Sequence, residues 1–386
     1  MWEGRLKYHL IIVTIFSITM CRKPYDPPAI KANNHFLAVD GVINTGPFSS
    51  TSITLTRSLN LLDTVTDIPE LNAHVLIQNA SGAVFPLTDT GANGVYVSVP
   101  LNLDPSQKYQ LSITTSDGNK YLSDLVTPKT APPIDSLTFQ IVNDPVTADQ
   151  ALTVYVNAHD PTNNTRYYRW QYIETWQHQS IYQTFWGLRN DSIYFLGPGE
   201  STYNCWSTGN SKSILLGSSV NLSADVISQV PIATFHQNDP KMDVRYSMLV
   251  RQYPLDFEAY NYWLTIQKNS QTLGGLFDPQ PAQITGNMHS ITNPASPVLG
   301  YISASSVQEK RFFVGPLGWQ SNPLTYCPFD TIPVNPVNEL IYTYPDTSFA
   351  LYYFISSFPA VMLLTRKECL DCRYQGGTNI QPPYWQ

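Results

Sequence analysis

The amino-acid sequence predicts a mainly β protein: a β-sandwich, then a second β-rich region carrying one amphipathic helix. Three observations predict it. Apolar and polar residues alternate over many short stretches, the period of a half-buried strand. Thirty prolines and 24 tyrosines stand against few runs of helix-forming residues. Clusters of Gly, Asn, Asp and Ser separate the stretches, as turns require. The 386 residues suffice for two or three ordinary domains.

The first strands follow one another closely. In residues 36–43, Leu37, Val39, Gly41 and Ile43 share a face. Ile53 and Leu55 alternate next, then Ala73, Val75 and Ile77, then Val95, Val97 and Val99. Tyr109, Leu111 and Ile113 precede Ser116-Asp117-Gly118-Asn119, turn chemistry that predicts a hairpin into residues 120–126. Six or so strands at this spacing describe a sandwich over residues 35–130, ended by Pro128 and Ala131-Pro132-Pro133.

The second region is expected over residues 134–386. Strands are predicted at 137–142 and at 152–158, where Leu152, Val154 and Val156 alternate. Over residues 167–176, Tyr168, Trp170, Tyr172 and Trp176 share one parity, while Tyr167, Arg169, Gln171, Ile173 and Thr175 share the other. An aromatic row of this kind is either a sandwich core or a platform that stacks sugars or flat ligands, and cores use aromatics more often. Residues 256–270 predict the helix: Phe257, Tyr260, Trp263 and Leu264 sit near helical spacing, Asp256 can cap the start, and Gly274-Gly275 follow the end. Residues 277–297 read as loop, with strands resuming at 298–304 and 311–314.

The opening is an address. Arg5 and Lys7 precede an uncharged apolar run, residues 10–20, too short to span a bilayer comfortably and suited to the core of a secretory signal. Cys21 follows at once, then a Pro-rich stretch that reads as a linker to residue 34. A cysteine there resembles a bacterial lipobox, whose thiol is acylated; Ile18 and Thr19 suit it, while Met20 stands where a small residue is expected. The expectation is a signal peptide over residues 1–20 and a lipid on Cys21 that holds the protein on a membrane.

Four cysteines remain: Cys205, Cys327, Cys369 and Cys372. An even number in an exported chain suggests two disulfides, with three ways to pair. Pairing each of Cys369 and Cys372 with a distant partner would tie the C-terminus down. A four-cysteine zinc site ranks lower, because Cys369-x-x-Cys372 has no second pair at that spacing.

No catalytic constellation stands out. The seven histidines are scattered, and no H-E-x-x-H, G-x-S-x-G or phosphate-binding loop occurs. No cofactor or metal is expected. A formal charge of −7 with no basic run beyond Arg22-Lys23 excludes the electrostatic footprint of a nucleic-acid binder.

Tyr25-Asp26-Pro27-Pro28 after Cys21, residues 37–43, residues 133–137 and Tyr167-Tyr168-Arg169-Trp170 form an ordered series with later features. These are residues 275–281, Gly286-Asn287-Met288, Val298-Leu299-Gly300-Tyr301, Lys310-Arg311-Phe312 and the closing 369–373, 376–379 and 383–385. Together they resemble a group of Bacteroidota envelope lipoproteins, the domain-of-unknown-function family forty-two forty-nine. The resemblance implies an N-terminal module similar to immunoglobulin- or transthyretin-like and carboxypeptidase-regulatory-like sandwiches. It also implies an outer-membrane lipoprotein, on either the periplasmic or the cell-surface face, accessory to a TonB-dependent-type receptor or uptake system. The expected function is therefore non-catalytic. A glycan- or peptide-binding module is the alternative, and a hydrolase with an unrecognised carboxylate site comes last.

Overall fold

A computed structural model describes residues 35–385, apart from 60–67, 92, 144–148, 190–191, 198, 272–283, 285, 320–325, 334–348 and 356–360. The chain is mainly β, as its alternation predicts, and falls into two sandwich-like lobes with separate cores.

In the first lobe, Leu37–Asn44, Ser52–Arg57, His74–Asn79, Val84–Asp89, Val95–Ser98, Tyr109–Thr114 and Lys120–Ser123 belong to one continuous sheet. Its inner face buries Leu37, Val39, Ile43, Ile53, Leu55, Val75, Ile77, Leu111 and Ile113, the parity that alternation predicts. Strand Val95–Ser98 departs from expectation: Tyr96 and Ser98 point inward, while Val95 and Val97 are half-buried and Val99 lies exposed. Tyr96 takes the core because it buries more apolar surface than a valine and its hydroxyl is satisfied there. That hydroxyl donates to the Glu70 carbonyl at 2.8 Å and accepts from the Ala73 N–H at 2.9 Å.

The lobe is completed from far along the chain. Met288–Ser290 pairs antiparallel with Lys120–Ser123, while Leu299–Gly300 and Ser303–Ser305 pair parallel with Leu37–Asn44. Met288, Val298, Ile302 and Ala304 join the first core. Residues 286–305, expected in the second region, are thus part of the first lobe in space. The glycines of this segment permit the approach. A Cβ on Gly286 would lie 1.8 Å from the Gly300 carbonyl oxygen, and one on Gly300, at φ +140°, 2.3 Å from that of Val39. Asn287 locks the return: its amide donates to the Ile302 carbonyl and accepts from the Ile302 N–H, both at 2.8 Å.

In the second lobe a three-stranded sheet, ordered Asp225–His236, Gln150–Asp160, Ile134–Asn143, packs on a five-stranded one. The latter runs Asn204–Asn210, Tyr167–Gln179, Arg245–Leu255, Gln308–Val314, with Leu215–Ser218 also paired to Tyr167–Gln179. Leu152, Val154 and Val156 from one sheet meet Tyr168, Trp170, Tyr246 and Val250 from the other. Gly217, opposite Tyr168, leaves room for the Trp170 ring, which a Cβ there would approach to 2.5 Å.

Helix Phe257–Gln271 starts at Asp256, whose carboxylate accepts from the Ala259 N–H at 2.7 Å. Its buried face differs from the expected one. Ala259 and Tyr262 are buried, whereas Phe257 is 56% exposed. Phe257 and Tyr260 instead cover the Tyr167 ring near the surface, while Tyr262 turns toward Tyr301. The helix thus meets the rest of the chain largely through aromatic rings and not through one apolar face.

Beside the second lobe, Asp330–Pro333, Val361–Arg366 and Phe349–Ile355 form a small sheet. The tail after it returns to the five-stranded sheet: Thr378 exchanges backbone hydrogen bonds with Trp206, and Trp385 meets Trp206 and Phe313 edge-on.

Candidate functional site

The two lobes are joined where the chain crosses between them. Residues 129–131 run beside 304–306: the Lys129 N–H donates to the Ala304 carbonyl, the Ser306 N–H to that of Lys129, and the Ala131 N–H to the Ser306 hydroxyl. Gln252 holds the crossing to the second lobe, donating to the Pro132 carbonyl at 2.7 Å. A cleft remains between the lobes, made of two adjoining hollows of about 360 and 610 Å³. Both are lined by Asp40 and Thr54 from the first lobe and by Arg169, Gln171 and Ser211 from the second.

Arg169 is the centre of this cleft. Alternation along Tyr167–Gln179 sends Tyr168 and Trp170 into the second core, so Arg169 and Gln171 face the first lobe. Arg169 is only 6% exposed. Its guanidinium carbon lies 3.5 Å from the centroid of the Trp263 ring, so helix Phe257–Gln271 supplies the stacking surface. The nearest carboxylate oxygen is Asp40 Oδ1, 3.8 Å from an Nη and beyond hydrogen-bond reach. Among the described residues, nothing accepts a hydrogen bond from Arg169. Burial pulls its pKa below the ordinary value, against the raising influence of Asp40.

The surroundings are mixed. Burial raises Tyr262, which lines the smaller hollow, to about 12, and also raises Tyr253, which lines the larger. Lys212 lines the smaller hollow from an exposed loop. In the larger one Arg251 Nε donates to Glu309 at 2.7 Å. The half-buried Val95 also lines the larger hollow.

The expected site residues have other roles. Tyr168 and Trp170 are fully buried, stacked at 5.7 Å between centroids, and their polar tips are engaged. The Tyr168 hydroxyl donates to buried Asp225, and Trp170 Nε1 donates to Gln252 at 2.9 Å. Tyr172 and Trp176 are half-buried and packed against the same core. The row is core, so no stacking platform exists at Tyr168 and Trp170. Lys241 Nζ sits 5.1 Å from the Trp176 ring centroid and pairs with buried Glu174 at 2.6 Å.

The four late cysteines form two disulfides, Cys205–Cys372 and Cys327–Cys369. Of the three pairings this is one of the two that tie the closing Cys-x-x-Cys to distant chain. With the sulfurs joined, none is a thiolate for zinc. Among the described residues no group of three or more His, Cys, Asp or Glu is placed to hold a metal ion, and no helix is long and apolar enough to cross a membrane. Cys21, residues 1–20 expected as a signal segment, and residues 275–281 lie outside the described residues.

A family model described as a domain of unknown function (DUF4249) matches residues 22–311. The chain belongs to that family. In this DUF4249 protein the match takes in the first lobe with its returning segment, the strand of Arg169 and the helix of Trp263. The cystine-bearing stretch 369–385 lies past its end. No curated protein matches. Among solved structures, the native conformation of E. coli alpha-2-macroglobulin is 11% identical over 59% of this chain and 14% of its own length. Its TM-score is 0.19, too low to carry an argument.

Alternation over residues 167–176 places Arg169 on the mixed face of its strand but does not single it out. A signal was present: it is the one cation among the neutral and aromatic residues 167–173. What faces that side of the strand is a segment more than a hundred residues away, and the pattern cannot name it.

Proposed function

We propose that this chain is a non-catalytic protein of the cell envelope, lipid-anchored at the outer membrane through Cys21, and accessory to an outer-membrane receptor or uptake system. The two disulfides are the observation that carries the reading. Stable cystines belong to oxidising compartments, which an exported chain reaches. The apolar run at residues 10–20 followed by Cys21 supplies the export and anchoring signals. From Cys21 to Leu37, at about 3.5 Å per residue, the linker reaches at most roughly 55 Å, so the first lobe stays near the bilayer. The cleft gives such a protein a place to bind. Asp40 and Glu309 both line it, yet Glu309 is held by Arg251 and Asp40 stands beside Arg169, which favours binding over carboxylate chemistry.

Purification from detergent-solubilised membranes, with intact mass on the same sample, tests this. The expected product begins at acylated Cys21 and co-purifies with an integral membrane protein. An unmodified chain starting at Met1 in the soluble fraction, or monomer alone after crosslinking, defeats the reading. The glycan- or peptide-binding alternative loses the ring row at Tyr168 and Trp170 as its basis; the cleft around Arg169 is what favours it now.

A further inference from the structure

Arg169 presents a problem that its own protein does not solve. A buried guanidinium costs free energy unless anions or acceptors satisfy it; Asp40 pairs with Arg169 only loosely, at 3.8 Å, and the guanidinium N–H groups find no hydrogen-bond acceptor among the described residues. Trp263 covers the flat face of the group, which fixes its plane while leaving the in-plane donor edge uncovered by the ring. Arg169 itself lines both hollows. A planar fork of donors, held in orientation and opening on a cleft, matches a carboxylate in geometry.

Charge decides between a monoanion and a dianion. Arg169, Lys212 and Arg251 face Asp40 and Glu309 around the cleft, one net positive charge in a chain whose formal charge is −7. Arg251 and Glu309 already satisfy each other at 2.7 Å. Asp40, with its side chain 58% exposed, would repel a second negative charge close to Arg169. Both hollows fall within the roughly 300–1,000 Å³ of ordinary small-molecule sites.

We propose that the cleft between the lobes binds a small ligand through a single carboxylate on the guanidinium of Arg169. Trp263 braces that guanidinium, and Gln171, Ser211 and Thr54 supply polar contacts around the carboxylate. This deepens the reading of the chain as a binding protein and rests on it. A free C-terminal carboxylate of an amino acid or short peptide and the carboxylate of a uronic acid offer the same chemistry.

Calorimetry on the full chain in detergent separates these sources. N-acetylated amino acids and glucuronate are titrated, each beside its methyl ester, with inorganic phosphate as the dianion. At least one free acid is expected to bind, with its ester tenfold weaker or more. Arg169→Lys, which keeps charge but loses the fork, is expected to weaken that acid at least tenfold. Because Arg169 is buried, Lys212→Gln on the exposed loop serves as a second variant, expected to weaken binding a few-fold. Trp263 fluorescence should shift on adding the acid, and the shift should vanish in Trp263→Phe. Phosphate binding as tightly as the carboxylates, or acid affinity unchanged in a folded Arg169→Lys chain, overturns the assignment. So does silence from every acid in both heat and fluorescence. A membrane pull-down that still recovers a partner would leave the accessory role standing while this site falls.

Discussion

The first lobe recruits residues 286–305 by hydrogen bonds and burial alone, whereas the second ties its distant tail down with two disulfides. The difference follows from what each segment can offer. The returning segment of the first lobe extends an existing ladder on both sides and adds Met288, Val298, Ile302 and Ala304 to an aliphatic core. Paired strands and buried side chains then offset the entropy of closing a long loop. The tail after Arg366 forms only short helices and a single bridge at Thr378, so it has little ladder to join. Cross-linking that limits the unfolded chain replaces it there.

The largest test of that contrast is to remove Cys205–Cys372, which spans 167 residues, by paired Cys→Ser changes. The expected loss is about 3–5 kcal/mol, confined to the second lobe. Scanning calorimetry checks it: the second-lobe transition should fall while the first stays, and a common fall would mean the lobes unfold as one unit. Removing Cys327–Cys369, which spans 42 residues, should cost about 1 kcal/mol less in the same chain-entropy account.

Next in size, Gly300→Ala places a Cβ 2.3 Å from the Val39 carbonyl oxygen at a backbone angle that favours glycine. A loss of about 2–3 kcal/mol is expected, in the first lobe only. Limited proteolysis should then cut within residues 286–306; an uncut segment would show that the parallel pairing is not what holds it.

The smallest expected effect is Tyr96→Phe, which keeps the ring and leaves the Ala73 N–H and the Glu70 carbonyl without their shared hydroxyl. About 1–2 kcal/mol should be lost, read as a lowered denaturant midpoint with unchanged slope. Tyr96→Val would sharpen the reason for the strand's parity, since it removes the ring as well.

Much of the fold was legible before the structure. The β class, the parity of four of the five early strands, the hairpin at residues 116–119 and the cap at Asp256 follow from local pattern and turn chemistry. The Val95–Ser98 strand misled because three valines outvoted one tyrosine, and no local rule weighs a ring whose hydroxyl has partners waiting elsewhere. The helix misled for a related reason: Phe257 and Tyr260 cover another ring at the surface instead of a core. The aromatic row at Tyr168–Trp176 was visible, and its burial is what the more frequent use of aromatics favoured.

By itself the sequence determined the strand periodicity, the acidic character, the absence of familiar catalytic motifs and the even set of late cysteines, because each is a property of composition or near neighbours. Only tertiary structure decided that residues 286–305 close the first lobe, which cysteines meet, and that Arg169 faces a cleft beneath Trp263. Those outcomes depend on which distant surfaces touch. Long-range contacts are selected by the burial and hydrogen bonding of the whole chain, information that no short window of residues contains.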